Sequence, residues 1–253
     1  MNSEEQLSEY RRLAVALYSD GLEVAGTYEL LDVTYHIEPR FPWFAFAERK
    51  LDPTFAFKEL LWYVNGDPTD DSIGEHATIW KDIFERDEIA LSNYGYELFT
   101  LGALAKCVRM LKGNVDTRRA VAFISENDHV GLFRADQPCT TSMQFLIRNN
   151  TLHTIVSMRS QDLIYGLGND SIFFSFVAWC MARAIGVYVG PIHMHVGSLH
   201  VYERHYEMLE ELMNPTPIYM PWEISRLSPG EAMEILRSDG TDGPFLSWVK
   251  EQL

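Results

Sequence analysis

The sequence predicts an α+β fold, with helices packed on a mostly mixed β-sheet. Three observations carry this expectation. Stretches with apolar residues at helical spacing are interspersed with alternating, strand-like ones. An Asn149-Asn150 pair between two alternating runs marks a hairpin, because Asn tolerates positive φ. The nearly all-apolar run over 171–186 needs burial as a helix against a sheet.

The elements follow in chain order. Leu7, Leu13, Ala14 and Leu17 sit at helical spacing over 4–18, and Gly21 ends that pattern. Residues 22–37 alternate loosely and read as one or two strands, broken by Pro39 and Pro42. Residues 54–65 form an amphipathic helix, with Thr54 as its N-cap and Gly66 at its stop. A short helix near Ile79–Phe84 interrupts a polar, irregular stretch. Another helix spans 98–112 and stops at Gly113, and a strand runs over 120–125. The hairpin strands cover 143–148 and 151–158. Residues 192–202 read as a strand and 203–213 as a helix, ended by the Pro-rich stretch 215–221. The last thirty residues read as strand, loop and short helix. With no repeat or linker visible, one domain over 1–253 is expected.

Composition narrows the function. The chain has 253 residues, 47% hydrophobic, enough for a large core without disulfides. Its net charge of −15 repels phosphate backbones, so no nucleic-acid partner is expected. The longest apolar stretch is interrupted by Ser175, Arg183 and Gly186, so no membrane span is expected. Three cysteines without CxxC spacing suggest a reducing compartment, the cytoplasm. The N-terminus lacks the features of a signal peptide.

Several residues stand out chemically, each with a plainer reading beside it. Cys107 and Cys180 lie in apolar helical patterns and read as buried small hydrophobes. Cys139 follows a proline and precedes a strand, where a thiol could be presented as a nucleophile if nearby cations lower its pKa. Arg118, Arg119 and Arg159 with Ser160 suit phosphate oxygens, or are solvated surface groups. Alternation places His193 and His195 on one strand face and His200 on the other. No carboxylate or cysteine completes a ligand set there, so no metal is expected. His200 and Tyr202 share a face and could bind a sugar, or be satisfied by backbone. Glu59, amid Leu60, Leu61 and Trp62, is either solvent-facing or a perturbed acid/base.

Taken in order, KELLWYVNGD, TIW, SNYG, DTRRAV, PC, MRSQDLIYGLGND and VGSLHVYERH resemble the thymidylate synthase family from about Glu59 to His205. The resemblance implies that family's α+β fold and a sheet-to-sheet homodimer. It implies Cys139 as the nucleophile that adds to pyrimidine C6, with Glu59 organising water and proton transfers and Tyr94 near the C5 proton. Arg159 and Ser160 match phosphate ligands, and Arg118 and Arg119 match the pair that reaches the phosphate of the other subunit. His200 and Tyr202 match the sugar ligands, while Trp80 and Asp162 match the folate side. A pyrimidine nucleoside monophosphate and 5,10-methylenetetrahydrofolate are the implied substrates.

Two departures from the synthase pattern are informative. Asp170 stands where the synthases carry an asparagine that reads uracil, eight residues beyond Asp162. An ionised carboxylate only accepts hydrogen bonds, which suits the cytosine amino group and opposes uracil O4. Thr140 follows the cysteine where synthases commonly have histidine. These features resemble the deoxycytidylate hydroxymethylase branch, whose implied reaction is 5-hydroxymethylation of dCMP with water as the final nucleophile. CMP as substrate, a methylating enzyme of the same family, and a non-catalytic nucleotide- or RNA-binding protein stay open as alternatives. The segment over 21–33 carries no basic residue, so phosphate binding is left to the arginines above, with Arg40 as a further candidate.

Overall fold

The computed structural model describes residues 3–125, 136–218, 220–240 and 242–253. Helix α1 (Ser3–Asp20) leads into β1 (Leu22–Val24) and β2 (Thr27–Ile37). Then come α2 (Pro53–Asn65), α3 (Thr78–Arg86) and α4 (Ala103–Gly113). Strands β3 (Val121–Phe123), β4 (Thr140–Arg148) and β5 (Thr151–Asp162) precede α5 (Gly166–Ile185) and β6 (Tyr188–Tyr202). The chain closes with α6 (Tyr206–Leu212), α7 (Pro229–Leu236) and α8 (Pro244–Glu251).

The six strands form one sheet in the order β1-β2-β6-β5-β4-β3. Only β5 and β6 pair in parallel. A parallel pair needs a crossover, and α5 supplies it. The β4–β5 hairpin turns through Asn149 and Asn150 at φ 50° and 58°, as their residue type foretold. Helix α5 is buried along most of its length, with Phe173, Phe174, Phe176 and Val177 in the core. Each such side chain contributes about 1.5–3 kcal/mol of apolar burial.

Local chemistry sets the element ends. Helix α2 is capped by Asp52, not Thr54: its carboxylate accepts from the Thr54 amide, and Pro53 opens the helix. Gly66 then closes it at φ 61°, with its N–H bonded to the Trp62 carbonyl. The expected helix over 98–112 is divided into a π-turn, Tyr96–Thr100, and α4, because Gly102 adopts φ 71° between them. The C-terminal thirty residues hold no strand among those described. They form a short 3-10 turn and helices α7 and α8, which bury Ile235, Leu236, Phe245 and Leu246. The carboxylate of Glu231 accepts from the Phe245 and Leu246 amides, capping α8 from α7.

The central strands share one irregularity. Pairing lapses at Asp32, Arg159 and Gly197, which sit at one level across β2, β5 and β6. Asp32 takes φ 53°. Register between the strands is the same on both sides of this line, but the burial alternation reverses. Before it Met194, Val196, Val156 and Met158 are buried; beyond it Leu199, Val201, Gln161 and Leu163 are. The even positions beyond the line, Ser160, Asp162, His200 and Tyr202, are thereby released from the core to a half-exposed position.

Candidate active site

The released row sits beside the loop that carries Cys139. The Arg159 amide donates to the Cys139 carbonyl at 2.8 Å, and its guanidinium donates to the carbonyls of Pro138 (3.1 Å) and Gln137 (2.7 Å). The arginine expected at a phosphate is therefore also what holds the loop ahead of β4. Beside it, Ser160 Oγ lies 3.4 Å from His200 Nδ1. The His200 and Tyr202 rings meet edge to face at 5.2 Å. Asp162 pairs with His200 in the β5–β6 register.

A second group of side chains comes from the helices. Glu59, on α2, is 8% exposed and accepts a 3.0 Å hydrogen bond from Trp80 Nε1 on α3. Burial pushes its carboxyl up to about 8, and the nearby Asp170 charge adds to that rise. This settles the choice for Glu59 toward a perturbed, buried acid. Trp80 is itself buried and packs on Trp62, with centroids 4.8 Å apart, so it positions Glu59 directly. Tyr94 stacks on Tyr63 at 5.3 Å. Burial raises its phenol well above the usual value, the charges of Cys139 and Asp170 raise it further, and hydrogen bonding to Thr140 opposes them. The SNYG segment that carries it is tied down at its first two residues. Asn93 donates to the carbonyls of Trp62 and Asp67, and Ser92 donates through N and Oγ to the buried Asp136, three residues before Cys139.

Asp170 lies on the first turns of α5, half-buried. Burial pushes its carboxyl up to about 7; a hydrogen bond from Gln161 opposes this, and the Asp162 charge assists it. Near neutral pH it is thus part carboxylic acid, where the sequence argument treated it as a carboxylate that only accepts. The loop between β5 and α5 wraps a buried arginine. Arg49 is 2% exposed, and its guanidinium donates to the carbonyls of Ile164, Phe44 (3.0 Å) and Tyr165 (2.9 Å). Gly168 lies flush against it: a Cβ there would fall 2.1 Å from Nη1. Asp162 accepts from the amides of Ile164, Tyr165 and Gly166. Its Oδ1 takes one of these bonds and its Oδ2 the other two, so Oδ1 keeps acceptor capacity.

Cys139 departs from expectation. Its thiol is raised, chiefly by burial, with Asp170 and Asp136 adding to the rise and, among the described residues, Arg159 lowering it. Arg118 and Arg119, expected at the phosphate of the other subunit, are exposed in the single chain near the sheet edge, just ahead of β3. Arg40 forms a two-pronged pair with Glu38 at 2.7 and 2.8 Å. Cys107 and Cys180 are buried as expected. His153 and His193 approach to 3.2 Å, but among the described residues no group of His, Cys, Asp and Glu could hold a metal ion. No helix of the described residues is long and apolar enough to cross a membrane.

Sequence reasoning missed Arg49, Gln161, Tyr35 and Asp136. Each sits in a segment without a motif of its own, apart from Gln161, which occupies the variable place within RSQD.

Asp170 thus lies within electrostatic reach of Glu59, Tyr94 and Cys139, and Arg159 within reach of Cys139. A thiol, two carboxyls titrating near neutrality and a phenol can add to an electron-poor ring and move protons around it. The thymidylate synthase family model matches residues 22–232. The deoxycytidylate 5-hydroxymethyltransferase of Enterobacteria phage T2 is 28% identical over 179 residues, covering 65% of this chain and 73% of its own. That of Enterobacteria phage T4 is 28% identical over 175 residues, covering 63% and 71%. The chain belongs to the thymidylate synthase family of one-carbon transferases.

Proposed function

We propose that this enzyme converts a cytosine nucleotide, dCMP, to its 5-hydroxymethyl derivative. The observation that carries the reading is Asp170, a half-buried carboxyl pushed up to about 7 where the resemblance places the base-reading asparagine of the synthases. Either protonation state accepts from the cytosine amino group, and the neutral acid also donates to ring N3. The relatives named for deoxycytidylate hydroxymethylation support the same choice.

Methylenetetrahydrofolate supplies the one-carbon unit when bound. The chain's own groups do the rest. Cys139 sulfur forms a bond to C6, which makes C5 nucleophilic. C5 gains the carbon and loses its proton, with Tyr94 beside the thiol to help pass that proton on. The bond from that carbon to the folate nitrogen breaks and tetrahydrofolate leaves; water then adds its oxygen to the carbon, its proton passing to the neighbouring acid/base groups, and the C6–S bond breaks, restoring the ring. Nothing is oxidised or reduced, because the incoming carbon and the hydroxymethyl product are at the same oxidation level. Glu59, still protonated up to about pH 8, holds a proton for the ring and then directs the water. Ser160 and Arg159 take the phosphate, His200 and Tyr202 the sugar hydroxyl, and Asp162 with Trp80 the folate side.

The reading includes a homodimer. One sheet face, with Thr34, His36, His195 and Phe123, is exposed in the single chain, and Arg118 and Arg119 lie near the same sheet's edge. A second copy on this face would bring those arginines to its partner's phosphate.

The test is the mass of the nucleotide product from methylenetetrahydrofolate and a mixture of dCMP, CMP and dUMP. A hydroxymethyl group on dCMP is expected. A methyl group, or a product from dUMP, overturns the proposal, and a product from CMP alone reassigns the sugar.

A further inference from the structure

Two hydrogen bonds in series end on Asp170. The Tyr35 hydroxyl, on β2, donates to Gln161 Oε1 at 2.5 Å. The Gln161 amide then directs Nε2 to Asp170 Oδ2 at 3.1 Å. An amide oxygen only accepts and an amide nitrogen only donates. Tyr35 therefore fixes which end of Gln161 faces the carboxyl. Tyr35 is 1% and Gln161 2% exposed, so bulk water does not compete for either partner.

The consequence falls on the two carboxyl oxygens. Oδ2 is committed to accepting. A proton placed on Oδ2 would weaken the bond it accepts, so the neutral acid carries its proton on Oδ1. We infer that Tyr35 and Gln161 are specificity-determining residues, which assign the Asp170 oxygens fixed roles and thereby set which pyrimidine edge is read. This rests on the cytosine reading above and deepens it.

The chemistry of the base edges explains why proton placement matters. Cytosine offers a donor at position 4 and a bare nitrogen acceptor at position 3. Uracil reverses both. A carboxylic acid free to carry its proton on either oxygen matches either base by moving the proton. An acid with the proton pinned to one oxygen matches one base and sets like against like with the other.

Other ionisable groups face Asp170 without setting this polarity. They are Glu59 and Tyr63 from α2, Tyr94, Cys139 ahead of β4, Asp162 at the end of β5, and Arg49 as the cation. Their charges act on both oxygens. Among the described residues, Gln161 is the side chain that hydrogen-bonds one of them.

The experiment compares Tyr35→Phe and Gln161→Leu with the wild type. Tyr35→Phe keeps the ring and frees the amide to turn over; Gln161→Leu removes the donor. The readout is the ratio of kcat/KM for dCMP to that for dUMP, with melting midpoints and calorimetric binding of each nucleotide alongside. Both variants are expected to lower the ratio at least about tenfold, by admitting uracil, while the Phe variant melts near the wild type. A structural role alone would slow both substrates together and leave the ratio unchanged, and that result overturns the inference. If one variant fails to fold, the ratio in the other decides. A wild type without preference for dCMP overturns the cytosine reading and this inference with it. A wild-type preference that the folded variants keep overturns this inference alone.

Discussion

Glu59→Gln is expected to make the protein more stable while removing its activity. The carboxyl of Glu59 rises from an ordinary 4.5 to about 8 in the fold. Between those values the folded chain holds a proton that the unfolded chain has released. Stability therefore falls as pH rises through this window, by up to about 1.4 kcal/mol per pH unit, and is level again above it. Across the window the ceiling is about 5 kcal/mol. Glutamine has no such proton to lose, and its amide oxygen can still accept from Trp80 Nε1. The gain should be near zero at pH 4.5 and reach about 2–4 kcal/mol at pH 8.5, allowing for imperfect amide placement. Urea melts of both proteins from pH 5 to pH 9, with equal m-values, measure it. A difference that does not change with pH, or a Gln variant less stable throughout, would refute the buried-acid account. The same variant should lose turnover, because glutamine cannot release and recover a proton.

Three further outcomes follow from the geometry. Gly168→Ala puts a methyl group into the Arg49 guanidinium and breaks its carbonyl bonds, so a loss of about 3–5 kcal/mol is expected in urea melts, and a loss under about 1 would sink the argument. Cys139 should alkylate with iodoacetamide at a higher pH midpoint than a free cysteine thiol, and Arg159→Leu should move it higher still, since that guanidinium lowers the thiol; a downward move would contradict this. Asp170→Asn should shift preference from dCMP toward dUMP in initial-rate measurements, and a retained cytosine preference would show that this position does not read the base.

Much of the framework was legible from local pattern. The period of α5, the Asn149-Asn150 turn and the Gly66 stop depend on neighbouring residues, and each is where periodicity and turn chemistry place it. The C-terminal thirty residues were misread because their helices are short and are held by a distant cap, Glu231. At the site, the residues with reactive groups could be named from motif order. What they do to one another could not. Arg49 meets Ile164 across 115 positions, and Tyr35 meets Gln161 across 126. No window along the chain contains both partners. The thiol of Cys139 was expected to be lowered by nearby cations; in the single chain burial raises it and outweighs Arg159, while Arg118 and Arg119, expected from the other subunit, lie exposed.

The broken line through Asp32, Arg159 and Gly197 constrains how this protein can drift. Three segments far apart in the chain lose and regain their pairing at one level, with matched residue counts on either side. An insertion or deletion in one strand alone would carry Ser160 or His200 back into the apolar interior and expose Leu199 or Gln161's neighbour Leu163. No single such event yields a workable intermediate. Length changes should therefore accumulate in the peripheral loops, while this level passes between descendants as one indivisible unit.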